Sequence, residues 1–129
     1  MSVENLPDVA IAGRQTTAGA AEETLNIGLN GGAPAPSILI PRPQKMQITD
    51  IVCSSRQEAI FQVQINRGSG FVTEFNSIVG ASGNSGGIDL GSPLVIKGGP
   101  SVAVRVLVET PGGAALVAVS MLGVTGGNS

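Results

Sequence analysis

Between Ser101 and Glu109 the chain reads S-V-A-V-R-V-L-V-E, with Val102, Val104, Val106 and Val108 in one phase and Arg105 and Glu109 in the other. A spacing of two places the valines on one face of a β-strand. Glu58–Asn66 reads the same way: Phe61, Val63 and Ile65 alternate with Gln62, Gln64 and Asn66, giving a core face and a wet face. Met46–Ser54 opens with Met46 and Ile48 in phase, then slips at Asp50-Ile51-Val52-Cys53, which predicts a bulge or a buried end. Phe71–Val79 carries Phe71, Thr73 and Phe75 in one phase and slips before Ile78. Ile88–Leu90 and Pro93–Lys97 read as two short strands, and Ala114–Val124 as the last one. Turns are marked by Arg67–Gly70, Gly98-Gly99-Pro100 and Pro111-Gly112-Gly113, and Gly80–Gly87 reads as a loop. Seven or eight short strands at intervals of roughly ten residues, with no helix between them, predict an all-β sandwich or barrel.

The last strand is apolar in both phases. One carries Ala114, Leu116, Ala118, Ser120 and Leu122; the other carries Ala115, Val117, Val119, Met121 and Gly123. A sandwich strand ordinarily keeps one polar face. The second face is therefore expected to have a cover, either another subunit or the N-terminal segment, with the chain's own loops as the plainer explanation.

Met1–Lys45 is patterned differently. Pro7, Pro34, Pro36, Pro41 and Pro43 punctuate it, and Gly31-Gly32 interrupts it. Ala18–Leu25 has the composition for a turn or two of helix, weakened by Gly19. The reading is an extended N-terminal arm over residues 1–45 and a β-sandwich domain over 46–129. The arm is a loose terminus, or it lies along the domain or reaches a neighbour. Its apolar side chains Leu25, Ile27, Leu29, Ile38, Leu39 and Ile40, with Val117, Val119 and Met121 of the last strand, are the candidate partner or oligomer contacts.

Composition narrows the function. The 129 residues carry 7 basic and 9 acidic side chains and only 12% charged residues, with no basic patch to follow a phosphate backbone, so nucleic acid is not an expected partner. The first ten residues hold acids and no Lys or Arg, unlike a signal peptide, and no apolar run reaches the ~18 residues of a membrane helix. Folding in a reducing cytoplasm is expected, with Cys53 as a small buried hydrophobe. Trp, Tyr and His are absent, so the core must be aliphatic around Phe61, Phe71 and Phe75.

Candidate chemistry is sparse. Gly83-Asn84-Ser85-Gly86-Gly87 fits the G-x-S-x-G nucleophile elbow and resembles the string around the nucleophile of trypsin-like serine proteases. Both need a general base, normally His, and the chain has none. Without His, and with one Cys, no zinc site can be built in one chain. Spacing leaves a carboxylate pair for glycoside hydrolysis open, but the lack of Trp and Tyr argues against a sugar subsite of the usual aromatic kind. No enzyme activity, cofactor, metal or small-molecule substrate is expected.

From Gln47 to Thr125 the order of features, F-Q-V-Q-I, a Gly turn, a polar loop, P-L-V-I-K-G-G-P-S-V-A-V-R-V-L-V and A-A-L-V-A-V-S-M-L-G-V, resembles the small jelly-roll proteins of tailed-phage virions. Capsid decoration or cement proteins and tail or fibre modules belong there. The resemblance implies a jelly-roll-like antiparallel β-sandwich that forms a homotrimer, assembles in the host cytoplasm and binds the major capsid protein or another virion protein. It brings no catalytic residues. The alternatives are a trimeric tumour-necrosis-factor-like or C1q-like binding module, or a tail or fibre module, recognising a protein or glycan.

Overall fold

The computed structural model describes residues 9–19, 21–40, 45–79 and 85–126. The strands are β1 (Val9–Thr16), β2 (Glu23–Leu25), β3 (Gly28–Leu29), β4 (Ile38–Leu39), β5 (Lys45–Ser55), β6 (Ala59–Asn66), β7 (Phe71–Val79), β8 (Ser85–Lys97), β9 (Ala103–Glu109) and β10 (Leu116–Gly126). The described residues form no helix.

Two antiparallel sheets face each other across an aliphatic core. Sheet A has the order β3-β1-β10-β5-β8; sheet B has β2-β9-β6-β7, with β4 also paired to β9. Apart from the two-residue β3 and β4, the pairs β1·β10, β2·β9, β5·β8 and β6·β7 are those of one long eight-stranded hairpin. Its tip is the turn between β6 and β7. Rolling that hairpin brings β5 onto β10 and β6 onto β9, which is the jelly-roll arrangement.

The period of two survives into the core. Ala59, Phe61, Val63 and Ile65 of β6 and Val104, Val106 and Val108 of β9 are buried, facing Met46, Ile48, Ile51, Cys53, Val117, Val119 and Met121 of sheet A. The expected phase slip in β5 is a bulge at Thr49: Ile48 pairs with Gly123 and Asp50 with Leu122, leaving Thr49 without an opposite residue in β10. A residue with a side chain is not tolerated at Gly123, because a Cβ there would run into the Gln47 carbonyl oxygen. At the hairpin tip, Gly68 and Gly70 adopt φ of 120° and 112°, and both their amides donate to Asn66 Oδ1.

Four expectations are corrected. The boundary at residue 45 has no counterpart in the strand pairing. β1 pairs with β10 along its whole length and β2 pairs with β9, so residues 9–25 supply the first two strands of the jelly roll. The cause is burial: Val9, Ile11, Leu25, Ile27 and Ile40 are at most 2% exposed in the same core as Phe61. Glu23–Leu25 is strand, not the helical turn that the composition of Ala18–Leu25 suggests. Likewise Ser85–Gly87 is not loop but the start of β8, opposite Val52–Ser54. β8 is one strand rather than two, with residues 90–93 forming an irregularity opposite Thr49, and Pro93 sits in that irregularity on an edge strand, where a missing amide is tolerated. Residues 80–84 of the expected loop lie outside the described residues.

Candidate functional site: the outer faces of the sheets

Gly83 and Asn84 lie outside the described residues, and the Ser85 backbone pairs with Ser54. Among the described residues no group of three or more His, Cys, Asp or Glu stands close enough to hold a metal ion.

The candidate contact residues divide by burial. Leu25, Ile27, Ile38, Ile40, Val117, Val119 and Met121 belong to this chain's own core and are not free to meet a partner. Leu29 is partly buried against that core. Leu39, 67% exposed, is the only one of the nine that faces solvent. The reason is register: β10 turns Val117, Val119 and Met121 inward, so its other phase is the one left outside.

That other phase helps form the outer face of sheet A. Its rows run Ala10–Leu122–Asp50, Ala12–Ser120–Val52 and Arg14–Ala118–Ser54 across β1, β10 and β5. The middle row is uncharged and its side chains are small, with Val52 41% exposed. Where Ala118 and Leu116 lie between Arg14 and Arg56, the face dips into a depression of about 350 Å³, also lined by Ser54. Neither arginine forms an ion pair with a described residue.

The outer face of sheet B is polar and ordered. Arg105 Nε donates to Gln64 Oε1 at 2.7 Å. Gln64 Nε2 donates to Thr73 Oγ1 at 2.9 Å and Gln62 Oε1 at 3.3 Å, and Thr73 Oγ1 donates to Gln62 Oε1 at 2.9 Å. Gln62 Nε2 donates to Glu22 Oε2 at 2.9 Å. The charged ends set the direction. A guanidinium requires an oxygen from Gln64, which turns that amide's nitrogen toward Gln62, whose own nitrogen then meets the Glu22 carboxylate. The Arg105 guanidinium lies 4.0 Å from the Phe71 ring centroid, a stack worth ~0.5–1 kcal/mol at exposed sites.

This cluster was not legible in the sequence. A bulge at Glu74 turns Phe71 and Thr73 outward while Phe75 packs inward, and only that register brings Phe71 beneath Arg105. The alternation in β6 and β9 shows Gln62, Gln64 and Arg105 on a wet face, which was the available signal.

The sheets are clipped together at one edge. Arg67 holds Glu74 with two hydrogen bonds, 2.9 Å and 2.8 Å, and its Nη1 donates to Val95 O of β8 at 2.9 Å. The Arg67 hydrogen bonds hold the Glu74 carboxyl below its ordinary range, against a smaller opposing effect of burial.

No family model matches the sequence. No curated protein matches it either. Among solved structures, the chain is similar to one described as the crystal structure of PirA, with a TM-score of 0.49 and 13% identity, covering 86% of this chain and 92% of that chain.

Proposed function

We propose that the chain is a non-catalytic structural protein of a phage virion, a capsid decoration or cement protein that binds the outside of the head as a homotrimer and stabilises it. The observation that supports this reading is the outer face of sheet A: Ala12, Ser120 and Val52 form an uncharged centre between Asp50 at one end and Arg14 and Arg56 at the other. Small side chains let another protein approach closely. The gain comes from buried area, at ~25 cal/mol per Å² of apolar surface, and needs no reactive group. The two arginines suit a shell surface that carries carboxylates. The contact between subunits is assigned to Ile78, 70% exposed on edge strand β7 beside Ile60, an apolar side chain at a sheet edge whose head-to-tail pairing would close into a ring where the rotation between subunits is threefold.

Co-sedimentation with phage capsids tests the docking face. Ser120→Glu lies on the exposed side of β10, so folding should persist while capsid binding is lost; undiminished binding refutes the proposed face. Light scattering should give three chain masses, and Ile78→Lys should give one.

A second reading, a binding module that recognises a glycan, is favoured by the ordered polar face of sheet B around Arg105.

A further inference from the structure

We infer that the outer face of sheet B binds an acidic saccharide, with Arg105 receiving its carboxylate; this inference rests on the second reading above. Arg105 is half-buried, and its guanidinium is fixed on two sides, by the Phe71 ring and by Gln64 Oε1. Its bond to Gln64 uses Nε, so the edge formed by the two terminal nitrogens has no partner among the described residues. A planar fork held in this way matches a carboxylate and loses little freedom on binding it.

The neighbours define the rest of the ligand. Arg105 is the only basic residue in β2, β4, β6, β7 and β9, the strands of this sheet. Glu22 is engaged with Gln62, and Glu74 with Arg67. The side chains hydrogen-bonded around the arginine on this face are uncharged, Gln62, Gln64 and Thr73, with the Glu22 carboxylate at the far end of the network and Glu109 further along the same phase of β9. An acidic peptide would call for several cations. A sugar acid offers one carboxylate among many hydroxyls, which both donate and accept, as amides do. The Phe71 ring is covered by Arg105, so recognition depends on the guanidinium and the amides rather than on sugar stacking.

Isothermal titration with an oligogalacturonate, a neutral galacto-oligosaccharide and a glutamate-rich peptide decides it. The oligogalacturonate should bind, with the neutral sugar about tenfold weaker or worse, as the loss of a charge-assisted bidentate contact implies. Arg105→Gln should lose a similar factor, and Arg105→Lys should not restore it, because an ammonium cannot present the fork. Phe71→Leu should weaken binding while circular dichroism stays unchanged. Equal binding of neutral and acidic sugars, or an Arg105→Gln variant that binds as well as the parent, overturns the inference and leaves the glycan reading standing. Tighter, Arg105-dependent binding of the peptide overturns it in favour of a protein ligand. No sugar bound at millimolar concentration removes both.

Discussion

Thr17 Oγ1 lies 2.7 Å from Thr110 Oγ1, both side chains fully buried and 93 positions apart in the chain. Thr110 Oγ1 also reaches Gly19 O at 3.1 Å and Thr17 Oγ1 reaches Ala115 O at 3.3 Å, so either hydroxyl can donate in the short contact while the other donates to a backbone carbonyl. Thr17 Oγ1 also accepts from Ala115 N at 2.9 Å, beside the backbone bond from Thr17 N to Ala115 O at 2.8 Å. The end of β1 is thereby tied to the connection between β9 and β10. Thr17→Val keeps the shape, removes the hydroxyl and leaves a buried amide without its acceptor, at a cost of about 1–3 kcal/mol. A lowered urea midpoint with an unchanged slope is expected, and Thr17→Ser should recover most of it. An unshifted midpoint would show that the network contributes nothing.

Deletion of Met1–Asn30 should abolish folding. The cut removes β1, β2 and β3, strips the edges of β10 and β9, and takes Val9, Ile11, Leu25 and Ile27 out of the core. Each such side chain is worth ~1.5–3 kcal/mol, against ~5–15 kcal/mol for a whole domain. Circular dichroism of the truncated chain should show no cooperative melt. A sharp transition would make residues 9–30 dispensable.

The parts of the fold that the sequence shows are those with enough length for a period to appear. β6 and β9 alternate cleanly, and the slip in β5 marks its bulge. β2, β3 and β4 have two or three residues each, too few for any period, and β1 turns polar after Ile11. Prolines around them then resemble an arm. For β10 the difficulty is the opposite: both phases are apolar, and only the pairing with β1 and β5 reveals that Val117, Val119 and Met121 point inward. The Arg105–Phe71 stack depends on a bulge in β7 that no residue type announces.

Acid should loosen the Arg67–Glu74 clip. The folded-state pKa of Glu74 is lowered by its hydrogen bonds to Arg67, so its contribution is present above the unfolded value of ~4.3 and is lost as pH falls through the folded one. The side chains are 45% and 24% exposed, and solvent screening keeps the contribution below ~1 kcal/mol. Glu74→Gln should melt slightly lower than the parent at pH 7, and the gap should close below pH ~4. A constant gap from neutral to acid pH would place the effect of the substitution elsewhere.

The Cys53 thiol is 1% exposed, and burial pushes its pKa up to about 11, with a Ser77 hydrogen bond opposing. In the unfolded chain the same thiol titrates near ~8.5. At pH values around ~8.5 the folded protein therefore keeps the unreactive thiol, while roughly half of any opened chain is thiolate. Iodoacetamide should leave the native protein unmodified and add one adduct per chain in urea. The direction of the linkage follows from the raised value: the stabilisation is complete below the unfolded pKa and is lost as pH climbs toward the folded one. The parent should thus lose stability between pH ~8.5 and 11 faster than Cys53→Ala, which lacks the thiol. Parallel curves, or rapid labelling without urea, would mean that the sheets open at Cys53 in the native state.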